Sequence, residues 1–177
     1  PLTGLPLSPR ERLAEEQIRS ALREALLRCW RKTPVEGAST AGHHFTSRLS
    51  VMGQLPTLSV SFSHVSDLYL TNISDHWPRI GRFLEAFPSL ESIDIRGYDL
   101  AGIPQAIFHM RRLNTLSLPS CRITLSPSDV AGLNTLDGLD LLHLHDNPLG
   151  LTPDLGNLQG LTDLDLSTTG IREIPHG

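Results

Sequence analysis

The chain has 177 residues and a mass of 19.5 kDa, one domain's worth or one domain with a short appendage. Hydrophobic residues at 39% and charged residues at 19% exclude a disordered chain, because there is enough apolar surface to form a core. No run of about 18 apolar residues occurs to cross a membrane, and two cysteines, Cys29 and Cys121, are too few for a disulfide-rich scaffold.

Leucine occurs 32 times, whereas aromatics are only 5%, a balance typical of helical or repetitive chains. Lysine occurs once, at Lys32, against 14 arginines. A GC-rich genome explains this, and so does a protein that works near ubiquitin and keeps few acceptor lysines. Charge is uneven. Residues 1–34 carry seven basic and four acidic side chains, a net +3, and residues 35–177 carry eight and fifteen, a net −7. A net-negative body argues against nucleic acid as a partner and favours a basic protein surface.

In chain order, Pro1 to Pro9 lacks the basic start and apolar block of a signal peptide, and there is no initiator Met. Ser8-Pro9-Arg10-Glu11 is a helix start: Ser8 caps, Pro9 suits the first helical position and Glu11 completes a capping box. No Gly or Pro follows until Thr33-Pro34, and Ala14, Ile18, Ala21 or Leu22, Ala25 and Cys29 recur at helical spacing, with Leu22, Leu26 and Trp30 alongside. Residues 1–34 therefore form an amphipathic helical unit. A basic amphipathic helix suits a membrane or calmodulin, but the glutamates in its polar face favour packing against the neighbouring domain. Cys29 falls on the apolar stripe and reads as core. Residues 35–47, rich in Gly, Ser, Thr and Ala, read as a linker, with His43-His44 a solvated pair or a possible metal pair.

From residue 48 to 177 the pattern LxxLxLxx(N/C/T)xL recurs. Leu161, Leu164, Leu166, Thr169 and Ile171 form one copy, and Leu139, Leu142, Leu144, Asn147 and Leu149 another. Leu113, Leu116, Leu118, Cys121 and Ile123 form a third, and Leu90, Ile93, Ile95, Tyr98 and Leu100 a fourth. Val65, Leu68, Leu70 and Ile73 begin a fifth, and Leu49, Val51, Leu55 and Leu58 make a degenerate first copy. The leading residues of the paired positions fall at 49, 68, 93, 116, 142 and 164, intervals of 19 to 26 residues. This predicts an α/β leucine-rich-repeat solenoid of about six repeats, with a parallel concave sheet, convex helices and turns, and the N-terminal helix as cap. In each strand the paired residues point inward and the residue between points out. Asn147, Cys121 and Thr169 turn inward to bond loop backbone. On the convex side Ser74 to Phe87 predicts a helix, and Ser126-Pro127-Ser128-Asp129 caps a short helix running to Leu133. The segments at Ile103-Pro104 and Thr152-Pro153 read as single turns. The chain stops at Gly177 inside a repeat, with no polar cap, which predicts a fragment of a longer protein.

The capping helix ending in Arg28-Cys29-Trp30-Arg31, followed by the run from Leu55-Pro56-Thr57-Leu58 to Asp67-Leu68-Tyr69-Leu70, resembles the leucine-rich-repeat region of secreted bacterial effectors of the IpaH/SspH type. It is also similar to the repeat region of large pseudomonad-like proteins that join a dermonecrotic-toxin-like region, leucine-rich repeats and a C-terminal novel E3 ligase domain. The resemblance covers most of residues 10–177. It implies a substrate-recognition module of an E3 ubiquitin ligase, secreted into the host cytoplasm. The alternative is a stand-alone binding or spacer domain of a toxin-like protein without ligase activity. The family's ligase uses a Cys-x-Asp motif. Cys29 precedes Trp-Arg and Cys121 precedes Arg-Ile, so this chain is not itself expected to be an enzyme.

The outward strand positions make the candidate binding surface: Ser50, Tyr69, Asp94, Arg96, Ser117, His143, His145, Asp163 and Asp165. Six strands span about 24 Å, enough for a protein patch of about 800 Å². Tyr69 and Arg96 are residue types common at binding hot spots. His143, His145 and Asp165 are the one group with possible site chemistry, a Zn²⁺ site or a His–Asp pair, and otherwise are ordinary polar positions. No fourth ligand or nucleophile accompanies them, so no metal and no cofactor is assigned. The expected partner is a protein, either a host target or an intramolecular catalytic domain, and neither nucleic acid nor membrane.

Overall fold

A computed structural model describes residues 8–32, 43–49, 51–173 and 175. The proposed linker over 35–42, the helix end at Thr33-Pro34, Ser50 and Gly177 lie outside the described residues. The elements run α1 (Pro9–Trp30), β1 (His44–Ser47), β2 (Asp67–Thr71), β3 (Ser92–Arg96), β4 (Thr115–Ser117), α2 (Pro127–Leu133), β5 (Leu141–His143) and β6 (Asp163–Asp165). Among the described residues the chain is an α/β fold with one six-stranded sheet, all parallel, its strands in sequence order.

The sheet register aligns Leu68, Ile93, Leu116, Leu142 and Leu164 in a single row. These are the leading positions of the sequence pattern. The first four are fully buried, together with Leu70, Ile95, Leu118 and Leu144 two residues on. Burying a leucine or isoleucine side chain contributes roughly 1.5–3 kcal/mol. No single strand gains this alone, because each strand's inward residues are covered by those of its neighbours. At β6 the covering ends: Leu164 is 41% exposed, whereas Leu142 is 0% exposed.

At the opposite edge the register departs from the expectation. Phe45, not Leu49, pairs with Leu68, and Ser47 pairs with Leu70. Strand β1 thus lies inside the segment read as a linker, and His44 is its first residue. Phe45 is buried and Leu49 only half-buried. The reason lies in the aromatic core here. Phe45 meets Phe83 and Phe87 at 6.2 and 5.9 Å between ring centroids, and Phe62 stacks on Phe87 at 4.9 Å. Four phenylalanines fill the space that leucines fill further along.

Helix α1 begins with the capping box its sequence announces. Ser8 Oγ accepts from the Glu11 N–H at 3.3 Å, and the Glu11 carboxylate accepts from the Ser8 N–H at 2.7 Å. Lys32, with a φ of +53°, stands in the left-handed region just past its end. Leu22, Leu26 and Cys29 face the core, and α1 covers β1. Polar ties fix its position. Glu15 accepts from the Met52 N–H at 2.9 Å, Arg19 donates to the Met52 carbonyl at 2.9 Å, and the two side chains pair at 2.6 Å. The His64 ring donates to the Cys29 carbonyl at 3.0 Å.

Helix α2 is the short helix expected at Ser126, with its own capping box to Asp129. The helix expected over Ser74 to Phe87 is a single 3-10 turn, Phe83–Ala86. Pro78 and Gly81, the latter at a φ of +54°, deny that segment a longer regular run. Its apolar residues Ile80, Phe83, Leu84 and Phe87 are nonetheless all buried. A second 3-10 turn, Gln105–His109, follows Pro104.

Candidate functional site

The face of the sheet turned away from the core carries the candidate surface. Strand register places Thr46, Tyr69, Asp94, Ser117, His143 and Asp165 side by side in one row across all six strands. Asp163 stands beside Leu141 in the adjoining row, and Arg96 pairs with Thr71 at the strand ends. Parallel strands in consecutive order make such rows inevitable, because residues at equal register point the same way.

Within the row the residues differ in what they offer. Tyr69 is 39% exposed, a large side chain with its ring open to a partner. Ser117, expected to be accessible, is buried, its short side chain recessed between Asp94 and His143 in the row. Arg96 is not a free cation. Its Nε and Nη2 donate to the two carboxylate oxygens of Asp94 at 2.8 and 2.7 Å, a bidentate pair on one strand. A partner carboxylate must compete with Asp94 for that guanidinium, whereas a partner cation finds Asp94 already neutralised.

The far half is acidic and carries both histidines, but not as the sequence spacing suggested. His143 and Asp165 are register neighbours, yet the His143 Nε2 lies 3.1 Å from the carboxylate of Asp163. His145 turns its Nδ1 to Asp146 at 3.0 Å. Asp165 accepts from the Ser167 hydroxyl at 2.6 Å and the Ser167 N–H at 2.9 Å. Those bonds, the hydroxyl first, hold its carboxyl below the usual aspartate range, and the two histidines add to this. The three proposed ligands thus point to three different partners. Among the described residues no group of three His, Cys, Asp or Glu side chains is placed to hold a metal ion, so His143, His145 and Asp165 do not form the Zn²⁺ site their spacing allows.

Behind the strands, the positions assigned to loop bonding do that work. Asn147 is buried. Its Oδ1 accepts from the N–H groups of Cys121 and Ile123 at 2.8 and 3.0 Å, and its Nδ2 donates to the carbonyls of Leu118 and Leu144 at 2.8 and 2.9 Å. The Thr169 hydroxyl donates to the Leu166 carbonyl at 2.7 Å. The Cys121 thiol donates to the Ile95 carbonyl at 3.1 Å, and desolvation pushes its pKa up to about 12. Desolvation likewise raises Cys29 to about 11. Neither thiol supplies a thiolate at neutral pH.

Two contributors escaped the sequence reading. Asn72 takes the loop-bonding role in the β2 segment, donating to the carbonyls of Ser74 and Gly97, both at 3.0 Å. The pattern pointed to Ile73 instead, which is exposed. The asparagine sits one position earlier than the spacing of the other copies, so a fixed-interval search passes over it. Thr46 joins the exposed row only because β1 is shifted. No known protein family matches this chain, and no curated protein is significantly similar to it. No described helix is long and apolar enough to cross a membrane.

Proposed function

We propose that the chain is a leucine-rich-repeat solenoid and that its exposed sheet face is a protein-binding surface. The observation that carries the reading is the continuous row from Thr46 through Tyr69, Asp94, Ser117 and His143 to Asp165, a ready-made strip about 24 Å long. The sequence interval of 19 to 26 residues and the return of each leucine pair to one register support the repeat reading. The resemblance to secreted bacterial effector ligases supports a role in substrate recognition within a longer host-directed protein. In that setting the ubiquitin transfer belongs to another domain. Both cysteines are held as protonated thiols, which agrees with a binding role for this part.

The partner recognised is a protein that brings hydrogen-bonding and basic groups to the acidic half and an apolar or aromatic contact to Tyr69. Calorimetry on an isolated partner tests this. Tyr69→Ala is expected to weaken binding by about thirtyfold, roughly 2 kcal/mol, with the melting temperature unchanged. An unchanged Kd in that variant removes the assignment of this face.

A further inference from the structure

Helix α1 and the segment from Leu55 to Phe62 enclose an apolar groove of about 480 Å³, built from none of the residues of the exposed sheet face. Its floor is Leu22, Leu26 and Phe62, all buried. Its rim is not: Trp30 is 47% and Val60 41% exposed, and the Trp30 ring meets Phe62 edge-on at 5.7 Å. Among the described residues, the charged side chains lining it are two arginines on one side, Arg19 and Arg23. Arg19 is committed to Glu15 and to the Met52 carbonyl. Arg23, among the described residues, makes neither an ion pair nor a hydrogen bond.

We propose that this groove receives an amphipathic helix of a partner protein, with an apolar stripe flanked by glutamate or aspartate. Three features select this occupant. The trough follows α1 from Arg19 to Trp30, about 16 Å or three turns, the reach of a short helix laid alongside. Trp30 and Val60 leave its rim open to solvent, so an apolar stripe can be laid on it from outside. Its one uncommitted charge among the described residues, Arg23, is positive and sits beside that stripe, so an acidic flank completes it. The chain as a whole carries −4, but residues 1–34, which include α1, carry a net +3, so the charge around the groove also favours an acidic flank.

The test uses two synthetic probe helices of four turns, identical in their leucines at i, i+3, i+4 and i+7. One carries glutamates on the flanks and the other lysines. Titrated into the whole chain, the glutamate probe is expected to bind one-to-one and about tenfold tighter than the lysine probe. Arg23→Glu reverses the preference. Val60→Asp, at an exposed position, abolishes binding of both probes without moving the melting temperature. Several results overturn the proposal: no binding of the glutamate probe, equal binding of both, a preference for lysine in the unaltered chain, or indifference to Val60→Asp. Saturable binding of palmitate without binding of the glutamate probe also overturns it, in favour of a lipid. A dimer in sedimentation that Val60→Asp dissociates overturns it in favour of a second copy of this chain.

Discussion

Asn147 ties two successive strand exits together, because its one amide serves backbone groups of both. Truncation to alanine leaves the Cys121 and Ile123 N–H groups buried without acceptors, at roughly 1–3 kcal/mol each. Asn147→Ala is therefore expected to lose about 3 kcal/mol in urea unfolding, and a loss below about 0.5 kcal/mol contradicts this role. Cys121 and Tyr98 make a second prediction at this scale. Burial raises both to about 12. In the unfolded chain a thiol ionises near pH 8.5 and a phenol near pH 10. The folded state thus keeps protons that the unfolded state loses. The stability linked to them is fully present below about pH 8.5 and declines as pH rises toward 12, by at most about 1.4 kcal/mol per pH unit for each group. Tyr98→Phe is expected to flatten the decline above about pH 10 in denaturant midpoints, and an unaltered slope refutes it. The roles of Asn147, Cys121 and Thr169 were readable from their place after each leucine pair. The partners of the histidines were not. Spacing puts His143 and Asp165 side by side, but rotamers and the competing Ser167 hydroxyl decide which contact forms.

Strands β2 to β6 were readable as elements because each carries an apolar pair at strand spacing, and the register confirms their leading positions. Strand β1 was not, since its inward residues are Phe45 and Ser47 and its surroundings have the composition of a loop. Phe45→Ala is expected to cost about 3–5 kcal/mol, as removal of a buried ring from an aromatic cluster does, and Leu49→Ala distinctly less. The reverse order restores the register with Leu49. Leu144→Asp places a charge among fully buried neighbours and is expected to unfold the sheet, visible as loss of the native circular dichroism spectrum and melting transition. The segment 74–87 shows the limit of helical periodicity. Four apolar residues on one helical face were real core residues, but proline and glycine left them a 3-10 turn to sit on.

Across the whole molecule, coverage falls off toward β6. Helix α1 closes the β1 edge, whereas Leu164 on β6 keeps 41% of its surface in water. Leu142→Ala is expected to cost about 3 kcal/mol and Leu164→Ala about 1 kcal/mol in the same unfolding measurement, and equal costs contradict a graded array. This same layering produces the exposed row. Consecutive strands in register bring residues far apart in sequence, from Thr46 to Asp165, into one strip. Most of its members were readable, because outward positions alternate with the leucines. The recess of Ser117 and the Arg96–Asp94 pair depend on side-chain packing that alternation does not specify. The most direct measurement is photo-cross-linking to an isolated protein partner, with a photoreactive residue in place of Tyr69 or, separately, of the exposed Asp137 in the turn after α2. A covalent adduct from position 69 and none from 137 is the predicted result. An adduct from 137 and none from 69 contradicts the sheet face as the binding surface.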